Sequence, residues 1–101
     1  MMKRTLISAL ALVACFIGIQ AQTQVIAHRG FWKTEGSAQN SITALEKAAE
    51  AEVYGSEFDV LMTSDGTIVV NHDHAIEGMV IAETPYKKLK KLKIKNGEKL
   101  P

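Results

Sequence analysis

The hydrophobic pattern after the first 21 residues consists of short apolar runs separated by polar segments. Residues 25–27 form one such run, which suits a buried strand. Apolar positions in residues 42–53 then recur at helical spacing, with Asn40 or Ser41 as the candidate cap. Gly55 follows as a candidate helix stop. A strand and a helix followed by a second strand predict a βα unit of a parallel sheet.

The second strand is predicted over residues 57–62, where the side chains alternate. The Asp65-Gly66 pair that follows is a strong hairpin signal. With these two as the central turn residues, the antiparallel register sets Asp59 opposite His72, on the same face of the hairpin. A nearby carboxylate would favour the protonated form of this histidine. A slip of one residue would remove the arrangement.

Glu57 and Asp59 are two residues apart on this predicted strand and therefore share one face. The repulsion between two carboxylates invites a cation, and oxygen ligands suit Ca²⁺ or Mg²⁺. The alternative is the solvated polar face of a half-buried strand.

The tripeptide His28-Arg29-Gly30 ends the first predicted strand, and ligands gather at strand ends in α/β folds. Arg29 could bind a planar anion through two hydrogen bonds, and Gly30 would permit a sharp turn. The alternative for His28 is a structural histidine with satisfied hydrogen bonds.

The last segment predicts a helix with Thr84 as its cap and Pro85 at its first position. Its apolar face comprises Tyr86, Leu89 and Leu92. The lysines of this segment are Lys87, Lys88, Lys90, Lys91, Lys93, Lys95 and Lys99. They fit a solvated helix face; the alternative is a surface that attracts anionic lipid or phosphate.

Residues 1–21 predict an export signal, because Lys3 and Arg4 precede an apolar run that is too short for a membrane span and ends near a cleavage point at Ala21. The protein is then periplasmic or secreted. The alternatives are an anchoring helix and a lipoprotein acylated at Cys15. Cys15 is the one cysteine of the chain, so cleavage after Ala21 leaves no disulfide.

Charge and length exclude several classes. Lys3 and Arg4 account for two of the 12 basic residues, so residues 22–101 carry ten basic and 11 acidic residues. This balance gives no indication of a nucleic-acid partner. The overall hydrophobic content of 47% argues against disorder throughout. A (β/α)₈ barrel needs roughly 250 residues and cannot fit in 101.

Several motifs follow in a fixed order: His28-Arg29-Gly30, Gln39-Asn40-Ser41, Glu57-Phe58-Asp59, Thr63-Ser64-Asp65-Gly66 and Val70-Asn71-His72-Asp73. Over residues 24–101 this order resembles the N-terminal part of the glycerophosphodiester phosphodiesterase family, within the phosphatidylinositol-phospholipase-C-like superfamily. The resemblance implies an α/β fold in which residues 22–101 form the first two βα units and a β-hairpin of a (β/α)₈ TIM barrel. The barrel is incomplete in this chain, which we interpret as truncated.

The resemblance also implies a metal-dependent hydrolysis of glycerophosphodiesters to an alcohol and glycerol 3-phosphate. His28 and His72 would be the general base and the general acid. Arg29 would bind the phosphate, and Glu57 and Asp59 would bind the divalent metal, Ca²⁺ or Mg²⁺. The substrate would be a small molecule; no nucleic acid, stable membrane span or protein partner is inferred.

Gln39 departs from the family, which usually has Pro-Glu-Asn-Thr here with the glutamate as a metal ligand. The amide oxygen of Gln39 can still coordinate a hard cation, with an expected loss of affinity. Two other functions stay open. One is a non-catalytic fragment or phosphate- or metal-binding module; the other is a different phosphodiesterase of the superfamily.

Overall fold

The computed structural model describes residues 22–101. The predicted export signal at residues 1–21, with Cys15, lies outside the described residues. Within residues 22–101, no helix is long and apolar enough to cross a membrane.

The predicted βα unit is present. Strand β1 (Ile26–His28), helix α1 (Ile42–Glu50) and strand β2 (Gly55–Glu57) follow one another, and the two strands pair in parallel. The register sets His28 directly beside Glu57. The two strand ends therefore bring a histidine and a carboxylate to one edge of the sheet.

Helix α1 begins as predicted and ends earlier. Ser41 is the N-cap, and its hydroxyl accepts a hydrogen bond from the Ala44 amide at 2.9 Å. The prediction that Gly55 stops the helix is wrong, because the helix ends at Glu50 and Gly55 opens β2. Glu52, at φ 54°, supplies the left-handed residue after the helix.

Gly30 lets the end of β1 approach α1 closely. A Cβ built at Gly30 would lie 2.6 Å from the Ala44 Cβ, and the residue has φ 81°. Phe31 then donates its amide to the Ala44 carbonyl at 3.0 Å. Only glycine combines this conformation with this contact.

The strand predicted at residues 25–27 is present as β1, but the prediction that it is buried is wrong. Val25 and Ile26 are more than half exposed, at 57% and 58%. Within residues 22–101, β1 pairs with β2 alone. One edge of β1 therefore has no strand neighbour in this part of the chain.

A hairpin forms at Asp65-Gly66, as predicted, from strands β3 (Val60–Met62) and β4 (Ile68–Val70). The predicted register is wrong by one residue, because Leu61 faces Val69 rather than Val70. Asp59 accordingly receives the backbone hydrogen bond of Asn71, at 3.0 Å, and does not lie opposite His72.

The slip has a local cause in a three-residue loop closed by Thr63 and Thr67. The Thr63 amide donates to the Thr67 carbonyl at 2.8 Å, and the Thr63 hydroxyl accepts from the Thr67 amide and donates to Asp65. Gly66, at φ 81°, takes the left-handed third position of such loops. The loop thus contains Ser64 as well as the two predicted turn residues.

A second hairpin pairs β5 (Ala75–Ile76) with β6 (Met79–Val80), and a short 3₁₀ helix (Ile81–Glu83) follows. Glu77 and Gly78 both have positive φ, as a tight two-residue hairpin turn requires.

Helix α2 (Tyr86–Leu89) has Pro85 at its N-cap, so the predicted cap at Thr84 is wrong by one residue. The Thr84 hydroxyl donates instead to the Val80 carbonyl at 2.7 Å. Asp65 accepts a hydrogen bond from the Tyr86 amide at 3.1 Å and satisfies the start of α2 from the hairpin loop.

The predicted packing of Tyr86, Leu89 and Leu92 is confirmed, but α2 ends at Leu89 and Leu92 lies after it. Leu89 is fully buried, and Tyr86 and Leu92 pack around it. The buried core cluster comprises Val69, Ile81, Leu89 and Leu100.

Candidate active site

Arg29 is the centre of the candidate site. Its backbone amide donates to Glu57 Oε2 at 3.0 Å, and its Nη1 donates to Gln39 Oε1 at 2.6 Å. Its Nε lies 3.7 Å from Asp59 Oδ2, beyond hydrogen-bond range. Arg29 has φ 58°, a left-handed conformation that is uncommon for a non-glycine residue and concentrates at functional sites.

The Nε of Arg29 is buried and has no hydrogen-bond partner within residues 22–101. A buried guanidinium N–H without an acceptor is costly, and the Asp59 carboxylate at 3.7 Å offsets only part of that cost because it lies beyond hydrogen-bond range. An anion at this position would accept that hydrogen bond and remove the cost.

Glu57 and Asp59 converge on Arg29, although not for the predicted reason. Glu57 ends β2, and Asp59 lies between β2 and β3, so the single predicted strand over residues 57–62 is interrupted. The chain changes pairing partner here, from β1 to β4. Glu57 accepts from the backbone amide of Arg29 and Asp59 faces its guanidinium, so the two carboxylates meet at Arg29 rather than through strand alternation.

Asn40 holds Asp59 in place, a role that the sequence reasoning missed. The Asn40 side chain donates to Asp59 Oδ2 at 3.0 Å and accepts from the Asp59 amide at 3.2 Å. The Asn40 amide also donates to the Arg29 carbonyl at 3.0 Å. Asn40 is buried with φ 59°, a conformation that asparagine tolerates better than most residues. An asparagine directly before the true cap Ser41 was the available signal.

His28 lies at the end of β1 with its Nε2 3.7 Å from Glu57 Oε2. Its side chain is 71% exposed, so it is accessible to a small molecule. Glu57 therefore contacts both the imidazole of His28 and the backbone of Arg29.

His72 follows β4, and its Nδ1 lies 2.9 Å from Asp73 Oδ1. The predicted neighbour Asp59 is replaced by Asp73, because the hairpin register differs. A carboxylate at Nδ1 fixes a proton on that nitrogen, so Nε2 is the ring nitrogen that can accept a proton from a ligand or donate one to it. Asp73 belongs to the quoted motif, but the sequence reasoning gave it no role.

A cleft of about 960 Å³ contains part of this set. Its lining includes Arg29, Gln39, Asn40, His72 and Asp73, and Trp32 also borders it. His28 is not among the lining residues and joins the cluster through Glu57 at the edge of the sheet. The structure thus brings Arg29, Gln39 and His72 to one cleft. Glu57 and Asp59 do not line the cleft and contact Arg29, and His28 contacts Glu57.

The donor set fits a hard cation with few protein ligands. Over the described range, no group of three or more Asp, Glu, His or Cys side chains is arranged to hold a metal. In the hydrogen bonds found there, Glu57 uses only Oε2 and Asp59 only Oδ2. Two carboxylates completed by water and substrate phosphate are a common Mg²⁺ arrangement. Gln39 Oε1 already accepts a hydrogen bond from Arg29, which weakens it as a ligand.

Arginine supplies positive charge to phosphoryl oxygens, carboxylates bind divalent cations and histidines transfer protons, so side chains of these types suit phosphodiester chemistry. The model of the glycerophosphoryl diester phosphodiesterase family matches residues 28–101, and the chain belongs to this family.

Individual relatives agree with the family. A glycerophosphodiester phosphodiesterase of Caldanaerobacter subterraneus is 40% identical over an alignment of 86 positions, which covers 77% of this chain and 34% of that protein. The crystal structure of a glycerophosphodiester phosphodiesterase from Parabacteroides distasonis matches with 60% identity and a TM-score of 0.76, over 77% of this chain and 33% of that one.

A crystal structure from Galdieria sulphuraria, at 22% identity and a TM-score of 0.68, shares the fold over 79% of this chain and 35% of its own. The chain thus spans about a third of the length of these relatives. The described residues form an α/β unit of small sheets in which no barrel is closed.

Proposed function

We propose that the full-length protein containing this chain hydrolyses glycerophosphodiesters to an alcohol and glycerol 3-phosphate, with the fold completed as a (β/α)₈ barrel. The observation that carries the proposal is Arg29, which lines a polar cleft and whose buried Nε has no hydrogen-bond acceptor within residues 22–101. A phosphodiester is a small anion that would accept this hydrogen bond and fit the cleft.

His72 would act as the general acid. Asp73 at its Nδ1 orients the ring, so that a proton on Nε2 can pass to the oxygen of the departing alcohol as the P–O bond breaks. His28 would act as the general base. Its exposed ring beside Glu57 would take the proton of the attacking water or substrate hydroxyl as the new P–O bond forms.

Glu57 and Asp59 would hold a divalent cation, Ca²⁺ or Mg²⁺, with the Gln39 amide oxygen as a third, weaker ligand. Such a cation supplies positive charge to the phosphoryl oxygens in the transition state. Arg29 would supply its own charge to the same group. It would be positioned by its hydrogen bond to Gln39 and by the Asn40–Arg29 backbone contact.

Export is the second part of the proposal. Residues 1–21 would be removed on passage to the periplasm or the exterior, in agreement with the apolar run after Lys3 and Arg4. N-terminal sequencing of the exported protein should begin at Gln22. A chain that keeps Met1, or one acylated at Cys15, would contradict it.

The test of activity is an assay of the full-length protein with several glycerophosphodiesters and a divalent cation. We expect glycerol 3-phosphate and the free alcohol as products, and loss of turnover in Arg29→Ala. Saturable diester binding without products would favour a binding module instead. A cyclic or head-group phosphate as the product would favour another activity of the superfamily.

A further inference from the structure

Lys93 and Lys95 line the same cleft as Arg29 and His72, and the proposed hydrolysis gives them no role. Both are exposed, and neither takes part in the ion pairs found within residues 22–101. Lys87 and Lys88 in α2, and Lys90 and Lys91 directly after it, do not line the cleft. The lysine-rich segment therefore has two parts, of which only one faces the candidate site.

The backbone that carries the two cleft lysines is held by packing and pairing. Ile94, between them, packs against the buried core cluster. Lys93 pairs with Lys99 across an antiparallel bridge, and the Ile94 amide donates to the Glu98 carbonyl at 2.9 Å. Lys93 and Lys95 thus extend from a closed turn whose middle residue is anchored.

Side chains of this turn also bind the elements that position Arg29. The Asn96 side chain donates to the Gly36 carbonyl at 3.1 Å, in the loop that follows β1. Glu98 Oε1 accepts from the amides of Ile42 and Thr43 at the start of α1, at 3.1 and 3.4 Å. The turn and the Arg29 loop are therefore fixed to each other across the cleft.

We propose that Lys93 and Lys95 form a second anion subsite, which binds a phosphate or carboxylate on the alcohol end of the diester. The inference rests on the proposed function, because it assigns Arg29 to the scissile phosphate. Three carboxylates also line the cleft, those of Glu35, Asp73 and Glu77. The Asp73 carboxylate is already hydrogen-bonded to His72. Lys93 and Lys95 are two residues apart and exposed. Their ammonium groups suit a compact anion, because each can donate hydrogen bonds from a different direction.

The cleft is large enough for a two-anion substrate. Its volume of about 960 Å³ lies at the upper end of the range typical of small-molecule sites. The preferred substrate class is therefore a glycerophosphodiester whose alcohol carries its own negative charge, rather than a neutral or cationic alcohol.

The experiment compares Lys93→Gln/Lys95→Gln with the charge-matched control Lys88→Gln/Lys91→Gln in the full-length protein. The substrates are glycerophosphoinositol phosphate, glycerophosphoglycerol and glycerophosphocholine. We expect the cleft variant to raise KM for the first substrate roughly 3- to 20-fold, the range for two partly exposed ion pairs. For the other two substrates we expect less than a twofold change, and for the control variant no selective change.

Equal losses on all three substrates would overturn the subsite, because the lysines would then serve the scissile phosphate. Equal effects of the cleft and control variants would also overturn it and point to a general basic surface. Circular dichroism and thermal unfolding of both variants separate these outcomes from misfolding.

A binding titration distinguishes failure of the subsite from failure of the proposed function. If the wild type hydrolyses none of the substrates, the proposed activity fails. Calorimetry with inositol bisphosphate and with glycerol 3-phosphate still tests the subsite. The wild type should bind inositol bisphosphate more tightly than glycerol 3-phosphate, and the cleft variant should lose this difference in affinity. The same difference in the wild type and the cleft variant would contradict the subsite.

Discussion

The hairpin and C-terminal region, residues 60–101, buries large side chains, whereas the βα unit that carries Arg29 buries only small ones. In the first region Val69, Ile81, Leu89 and Leu100 enclose a core of their own. In the second, the buried residues of α1 are Ala44 and Ala48.

The larger apolar side chains of the βα unit, Ile26, Ile42 and Leu45, are about half exposed. The candidate site thus lies on the less covered unit, and polar contacts through Asn40 and Arg29 hold it together. In the proposed full-length barrel, the further strands and helices would cover those apolar faces.

The largest expected effect is on independent folding. Residues 22–101 alone should show no cooperative thermal transition as a monomer, because β1 and β2 have open edges and α1 has an uncovered face. The full-length protein should show one. Differential scanning calorimetry of both forms checks this, and a cooperative monomeric transition of residues 22–101 would contradict it.

Asn40 should be the most sensitive polar contact of the site. Asn40→Gly keeps the left-handed backbone but removes both side-chain hydrogen bonds to Asp59. We expect a loss of about 1–3 kcal/mol in the free energy of unfolding, together with a large fall in kcat/KM. Glu52→Gly is the matched control, since it is exposed with φ 54°; a similar loss there would show that backbone flexibility alone is responsible.

Gln39→Glu should strengthen divalent binding by the full-length protein. The change adds a third carboxylate at the Arg29 guanidinium, which Asp59 also faces, and cation affinity rises with ligand charge. We expect roughly tenfold tighter Mg²⁺ or Ca²⁺ binding by calorimetry. Gln24→Glu adds the same charge at an exposed position outside the site. Equal affinity in the two variants would show that Gln39 lies outside the cation's reach.

The smallest expected effect concerns Glu98, which should make the free energy of unfolding depend on pH in the acid range. Burial opposes the shift, but hydrogen bonds from Asn96, Thr43 and Ile42 outweigh it and hold the pKa of Glu98 below its ordinary value of 4.5. The contribution of Glu98 to the free energy of unfolding is therefore complete above about pH 4.5. It is lost as the pH falls through the lowered pKa.

Urea unfolding at several pH values checks this expectation. Glu98→Gln should remove that part of the acid dependence. Glu46→Gln, an exposed change on α1, should leave it in place. An identical pH profile for wild type and Glu98→Gln would show that the carboxylate contacts contribute nothing.

Sequence patterns were sufficient for elements whose signal is local. The βα unit, the hairpin at Asp65-Gly66 and the apolar face of α2 follow from spacing and turn residues. The hairpin register was not accessible in this way, because Thr63 closes a longer loop through its own side chain. That single slip replaced Asp59 with Asp73 as the neighbour of His72.

The members of the site were recognised as motifs, but their contacts depend on tertiary placement. Nothing in the spacing of Glu57 and Asp59 indicates that the chain changes strand partners between them. The anchoring role of Asn40 likewise depends on a left-handed backbone beside a distant carboxylate. Burial of β1 was predicted from its composition, whereas its exposure reflects how few neighbouring elements the described chain provides.

The central claim is that His28 is the base and His72 the acid for one phosphodiester. Each alanine variant should lower kcat by about 10²–10⁴-fold with natural diesters. A diester with a nitrophenyl leaving group needs little protonation, so the decisive measurement is kcat of both variants on such a substrate. We expect partial recovery in His72→Ala and none in His28→Ala. Equal recovery in both, or recovery in His28→Ala alone, would contradict it.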